Sequence, residues 1–273
     1  MGRVIKELRD LRYLKWTRSR NSSGTAGSFL KAQEIAGRKK IYYKLSNYDV
    51  EEGIVGCECL HEIVADRVLH ILHVGHLEYT LIHAMVLIDG KELETYVCAS
   101  EDFKKKNESK VALDVFFQME KLPEESAFAF CRRMGWQKYI YEMLTIDYLI
   151  QNRDRHGANI EVLRNPVNRK LRLAPLFDHG LSFAFSCRDK KEVQAFDVLR
   201  ERPVQCFVGG SNTEKNLEII PASEMISLPA WSGELEEEIF ADLGNIVSIE
   251  MEEKIREMLR KRWERYEIIR NQR

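Results

Sequence analysis

Apolar positions in the first hundred residues fall into short runs with strand-like alternation, broken once by a helical stripe. "GSFLKA" and "KKIYYKLS" flank "QEIAGR", a pattern for two strands joined through a Gly-containing turn. In "VGCECLHEIVADRVLHIL" the apolar residues Leu60, Ile63, Val64, Val68, Ile71 and Leu72 recur at helical spacing. "LEYTLIHAMVLIDGKELETYVCAS" reads as a hairpin with Asp89-Gly90 at its turn. Beyond the polar run "SEDFKKKNESK" the periodicity becomes helical. "GWQKYIYEMLTIDYLIQ" sets Tyr139, Met143, Ile146 and Ile150 on one face, and "ANIEVLRN" and "KLRLAPLFDHG" suggest two short strands about a turn containing Pro166. The tail, Glu250 to Arg273, is a charged helix with Ile255, Leu259 and Trp263 along its apolar stripe. The expectation is an α+β chain: a β-rich part with one main helix over residues 1–100, a connection at 101–110 that is equally compatible with a plain solvated loop, and a mostly helical part over 111–273.

Composition narrows the class. In 273 residues, 44% are apolar and 31% charged, enough for a large buried core. Lys and Arg number 42 against 43 Asp and Glu, so the balance gives no reason to expect direct nucleic-acid binding. No apolar run approaches the roughly 20 residues of a membrane span, and the basic N-terminus lacks a signal-peptide core. The six cysteines follow neither disulfide-framework nor zinc spacing, which suits free thiols in a reducing cytoplasm.

Between two segments that favour burial lies "YLIQNRDRHGANIEVL", dense in hydrogen-bonding side chains. Phosphoryl transfer from a nucleotide requires a loop over the phosphates, a lysine upon them, oxygen ligands for magnesium and a carboxylate beside the acceptor hydroxyl. The chain presents such groups in that order. Gly24 and Gly27, with Ser22, Ser23, Thr25 and Ser28, would let backbone N–H groups approach phosphate, although the spacing is not that of a Walker A loop. Lys44 lies within "IYYKLS", and Glu58 and Glu62, one turn apart on the helix, are both candidates to hold it, Glu62 the favoured one. Asp154 and Asn159 sit five positions apart in "DRHGAN", and Asp178 follows an apolar strand in "LFDHG". One carboxylate there could face a substrate while an amide and a second carboxylate converge on a hard cation. His156 is open to two roles, touching the transferring phosphate or bracing the loop. One of Arg153 and Arg155 is suited to pair with a nearby carboxylate. By order in the chain, residues 97–100 would hold adenine through strand-edge backbone.

"NRDRHGANI" followed by "LAPLFDHG" resembles the catalytic and metal loops of HipA-type serine/threonine kinases, and is similar to the DRHxxN and DFG pattern of phosphoinositide kinases. "SSGTAGSFLKA", "YYKLS" and "CFVGGSNTEKNL" extend the resemblance from about Ser22 to Leu217. It implies a two-lobed, protein-kinase-like α+β fold using ATP and Mg²⁺. Carried over, Asp154 is the catalytic carboxylate with His156 beside it, and Asn159 and Asp178 are the magnesium ligands. Lys44, steadied by Glu62, holds nucleotide phosphates, as does the loop Ser23, Gly24, Thr25, Gly27 and Ser28. Ser22 or Ser23 is the expected autophosphorylation site. The implied partners are a protein substrate, with a translation component among the candidates, and a separate DNA-binding antitoxin. Two departures stand out: about twenty residues precede the loop where larger relatives carry a subdomain, and His179 replaces the Phe of DFG. Rival readings are a metal-dependent phosphoesterase built on Asp154, His156, Asp178 and His179, a non-catalytic pseudokinase, and a lipid or small-molecule kinase. The segment "SCRDKKEVQAFDVLRERPVQCF" reveals no headgroup pocket; its basic residues Arg188, Lys190, Lys191, Arg200 and Arg202 alternate with acids.

Overall fold

Strand residues project alternately to opposite faces, and in this chain that parity decides where Lys44 goes. A computed structural model describes residues 1–17 and 29–273. Its first part is a five-stranded sheet of β1 (Arg3–Asp10), β2 (Lys31–Ala36), β3 (Lys39–Leu45), β6 (Tyr79–Ile88) and β7 (Lys91–Glu101), in the order β1-β6-β7-β3-β2. Pairing is antiparallel except for β1 on β6. Tyr43 and Leu45 on β3, Val97 and Ala99 on β7, and Ala84, Val86 and Ile88 on β6 pack into an outer apolar cluster closed by Leu11, Leu14 and Leu30. Lys44, between Tyr43 and Leu45, is thereby turned to the opposite face. The short pair β4 (Tyr48–Asp49) and β5 (Gly53–Ile54) then leads into α1 (Glu58–Ile71), which covers that face against β3, β6 and β7.

The β6–β7 hairpin turns at Asp89 and Gly90 with φ of 49° and 81°, both positive as a type I′ turn requires. The first hairpin departs from expectation. "QEIA" is the end of β2, not a turn, and the chain reverses at Gly37 (φ 64°) and Arg38. β2 is an edge strand whose outward side chains face solvent, so its composition lacks the apolar alternation of the inner strands. β1 was not anticipated: its pairing partner lies more than seventy residues along the chain, and its own residues are mostly exposed.

The second part is mostly helical: α2 (Leu113–Glu120), α3 (Ala127–Arg133), α4 (Gln137–Leu149), α5 (Lys190–Ala195), α6 (Thr213–Asn216), α7 (Gly233–Phe240) and α8 (Ile249–Asn271). β8 (Ser109–Ala112), β10 (Glu161–Asn165) and β11 (Lys170–Leu173) make a three-stranded sheet, and β9 (Asp154–Arg155) pairs in parallel with β12 (Gln205–Cys206). A second apolar cluster joins the inner face of α1 to α4, α7 and α8 through Leu69, Phe130, Met143, Ile239, Met258 and Trp263. α8 begins at Ser248, whose hydroxyl accepts the Met251 N–H. Among the described residues all six cysteines are free, and no helix is long and apolar enough to cross a membrane.

Arg262 pins α8 to the helical core. Its guanidinium, 1% exposed, donates to the Tyr148 carbonyl (2.6 Å), Glu201 Oε1 (2.7 Å) and Thr213 Oγ1 (2.8 Å). Removing one member of a buried pair strands the other in a poorly solvated site. Arg262→Ala is therefore expected to lower the unfolding free energy by about 3–5 kcal/mol. The check is a urea titration, in which the midpoint falls while the slope stays unchanged.

Candidate active site

The inner face of β3 delivers Lys44 to the buried polar side of α1. Lys44 Nζ lies 2.9 Å from Glu62 Oε1 and 2.6 Å from Asp178 Oδ1. Burial alone would favour the neutral amine, but the two carboxylates outweigh it and hold the lysine above its ordinary range. The same pairing keeps Glu62 and Asp178 ionised despite their own burial. The choice left open between two acids is resolved by geometry: Glu62 meets the lysine, while Glu58 Oε2 accepts the Asn47 N–H at 2.9 Å and secures the turn after β3.

The loop carrying Asp178 is held at three points, two on α1 and one on β6. The His179 N–H donates to Glu62 Oε2 (2.8 Å), His61 Nδ1 lies 2.8 Å from the Gly180 carbonyl, and the Asp178 N–H reaches Tyr79 Oη (3.3 Å). Burial pushes His61 down to about 4, so its imidazole is neutral at physiological pH and donates through Nδ1. Gly180 permits the close approach: a Cβ there would stand 3.1 Å from Glu58 Cβ and 3.3 Å from Lys44 Nζ. Asp178 itself has φ 58°, the left-handed region that non-glycine residues enter rarely and often at functional sites. The His179 ring is buried, and its Nδ1 is 3.7 Å from Glu62 Oε2, beyond hydrogen-bond reach.

Across from Lys44, α4 ends and the chain enters the loop of Asp154. Arg155 organises it. Its guanidinium, 1% exposed, forks onto Asp147 at 2.9–3.0 Å and donates to the carbonyls of Phe177 (2.8 Å) and Asn159 (3.4 Å). One side chain thus ties the residue after Asp154 to the residue before Asp178 and to Asn159. Asn159 Nδ2 donates to the Asp154 carbonyl (2.7 Å), and its Oδ1 is thereby turned away from that bond. His156 Nδ1 accepts the Ala158 N–H at 3.1 Å, with Nε2 3.5 Å from Asp154 Oδ1, the bracing geometry of its two expected roles. Burial, reinforced by the nearby Asp178 charge, raises the Asp154 carboxyl above its ordinary value, though His156 and Arg155 oppose the rise.

The structure therefore brings Lys44, Glu62 and Asp178 into direct contact and sets Asp154, His156 and Asn159 on the adjoining loop. Ser22, Ser23, Gly24, Thr25, Gly27 and Ser28 lie outside the described residues. Residues 97–100 do not fit the adenine role: they are interior to β7, hydrogen-bonded to β3 on one side and β6 on the other, so their backbone groups are already used. Backbone leaves the ladder only after Glu101, where Phe103 packs on Phe177 at 5.6 Å between centroids. Three contributors were not anticipated: Asp147, Tyr79 and His61. Asp147 carried a readable signal, a charged residue beside the buried stripe of α4, which needs a partner.

Oxygen atoms of Asp154, Asn159 and Asp178 suit a hard cation, and Asp178 acting on Asp154 is the like-charge strain that such a cation relieves. Among the described residues no cluster of three or more His, Cys, Asp or Glu side chains could cage a metal. Magnesium needs none, because it is commonly held by one or two carboxylates together with substrate phosphates.

No protein-family model matches the chain, and no curated protein matches its sequence. Solved structures do. The proinflammatory kinase CtkA of Helicobacter pylori superimposes with a TM-score of 0.63 over 97% of both chains, at 16% identity. HipA of Shewanella oneidensis MR-1, solved with HipB and operator DNA, gives 0.48 over 93% of this chain and 68% of that one, at 12% identity. The two-lobed α+β architecture expected from the sequence is the one observed, and the chain shares its fold with the CtkA kinase over 97% of its length.

Proposed function

We propose that the protein is an ATP-dependent serine/threonine protein kinase of the HipA-like type. The observation that carries this reading is Lys44 clamped between Glu62 on α1 and Asp178 in the loop that follows β11. A lysine fixed in this way presents a stationary positive charge where nucleotide phosphates would lie. Asp154, raised by burial, accepts a hydrogen bond from the acceptor hydroxyl and orients it in line with the γ-phosphorus. The hydroxyl oxygen bonds to phosphorus as the bond to the β–γ bridging oxygen breaks. The hydroxyl proton passes to Asp154, and ADP leaves. Mg²⁺, held by Asn159 and Asp178, would neutralise charge on the phosphates. His156 and Arg155 keep the Asp154 loop in shape throughout.

The reading extends to autophosphorylation at Ser22 or Ser23 and to a toxin role alongside a DNA-binding antitoxin, both supported by the sequence resemblance. The acceptor is a protein hydroxyl on the same support.

Incubation with Mg-ATP followed by intact-mass measurement tests the central claim: the native chain gains phosphate and Asp154→Ala does not. If the native chain neither gains phosphate nor binds nucleotide, the kinase reading falls. With Asp154→Asn, turnover should drop about 10²- to 10⁴-fold while nucleotide affinity is kept, which titration calorimetry would separate from a folding defect. The two acids on α1 should differ. Glu62→Gln frees Lys44 from one partner and is expected to cost about 10²-fold in kcat, whereas Glu58→Gln should chiefly lower thermal stability.

A further inference from the structure

Beside the Asp154 loop lies a group of arginines that form no ion pair among the described residues. Arg153 immediately precedes Asp154, and β12 runs alongside, with the Gln205 N–H donating to the Arg153 carbonyl at 2.9 Å. Arg153 Nε donates to the Pro203 carbonyl (3.2 Å), and its guanidinium lies 5.4 Å from the Phe185 ring centroid. Arg202 stacks on Phe196 at 3.7 Å, with Nη1 on the carbonyls of Asp197 and Arg200 (both 2.9 Å). Among the described residues no carboxylate oxygen lies within 4 Å of Arg153, Arg200 or Arg202.

The grouping works against its own charge. Burial, and then repulsion from Arg153 and Arg200, lower the pKa of Arg202. Asp197, whose charge acts on Arg202, spends Oδ1 on the N–H groups of Leu199 and Arg200. Aromatic faces and carbonyls fix Arg153 and Arg202 in place, and a held guanidinium recognises a carboxylate or phosphate at reduced entropic cost.

We propose that Arg153 and Arg202 form a subsite for an acidic side chain, carboxylate or phosphate, that flanks the acceptor hydroxyl on a protein substrate; this rests on the kinase reading above. The guanidinium of Arg153 reaches toward Phe185 and Pro203, whereas the Asp154 carboxylate faces His156 and Asn159. The cluster therefore stands beside the reacting centre and not in it. An extended peptide advances about 3.3 Å per residue, so an acid two to four positions from the acceptor stands roughly 7–13 Å from it along the chain. Asp189, Glu192, Asp197 and Glu201 alternate with Arg188, Lys190, Lys191, Arg200 and Arg202 along the same segment, so its charge is mixed and it offers no broad basic face. That favours a single acidic side chain over an anionic membrane.

The test uses the full-length protein, Mg-ATP and peptides with one serine acceptor, placing Asp, phosphoserine, Ala or Arg at each flanking position in turn. The expected result is a preference of about tenfold or more in kcat/KM for the acid at one or two positions, expressed in KM. Arg153→Gln and Arg202→Gln bring the ratio of acidic to Ala peptide near one. Arg202→Lys keeps part of it, and Arg164→Gln on β10 leaves it intact. Equal use of acidic and Ala peptides by the native enzyme overturns the subsite while leaving the kinase reading standing. So does a preference that survives both glutamine variants, or transfer to phosphoinositide vesicles in place of peptides. If the native chain transfers phosphate to nothing and binds no nucleotide, the kinase reading and the subsite fall together.

Discussion

The structure depends on a helix that has no free face. From Glu58 to Leu69 every residue of α1 is buried, including Glu58, His61, Glu62, Asp66 and Arg67. It packs against β3, β6 and β7 of the sheet and shares an apolar cluster with the helices of the second part, and its polar residues are buried between the two. Burying that many polar groups is tolerable only if each finds a partner, and the partners come from distant chain segments. Glu62 takes Lys44 and the His179 N–H; His61 takes Gly180. Asp66 accepts the N–H groups of Gly2 and Tyr79, and Arg67 donates to the carbonyls of Gly2, Ile239 and Ala241. The helix is thus the place where strand, Asp178 loop and C-terminal helices are brought into mutual register.

Around that helix the site is assembled by a few multivalent groups. Arg155 does for the Asp154 loop what α1 does for the Asp178 loop, by gathering Asp147, Asn159 and Phe177 onto one planar ion. A guanidinium suits the task because its five donors are fixed in a plane and it stays charged when buried. Lysine would supply a single point of charge and leave carbonyls unmatched. The arrangement also explains why Asp154 can sit with a raised pKa near Asp178 without the loops parting: the tether lies in the backbone carbonyls, not in the two carboxylates.

Much of this was legible because local periodicity and tertiary burial agree. The β6–β7 hairpin follows from alternating residues around Asp89-Gly90, and α4 and α8 from apolar stripes that do face a core. The placement of Lys44 was half legible. Its flanking Tyr43 and Leu45 force it to one face, but which face α1 covers is a tertiary fact. What stayed hidden depends on long-range partners. β1 has no reason to be a strand until β6 offers an edge, and the stripe of α4 shows that Asp147 needs a partner without showing that Arg155 folds back to supply it. The misplaced adenine contact has the same origin, since backbone that looks available in one strand is consumed once both neighbours are present.

Polar burial of this extent carries a thermodynamic consequence. Replacing a buried ion pair by apolar residues of similar volume is often neutral or stabilising, so stability alone does not account for Lys44, Glu62 and Asp178 at the centre of the fold. An apolar seam would hold the two parts together at least as well. What it could not do is keep a positive charge and a negative oxygen fixed a few ångströms apart, each ready to exchange its protein partner for a ligand of the same sign. Asp178 held at positive φ points the same way, because the surrounding bonds to Tyr79, Glu62 and His61 maintain a conformation that an isolated loop would relax. The seam gives up stability in return for preorganisation, and the residues that make it are those to which the proposed phosphoryl transfer assigns work.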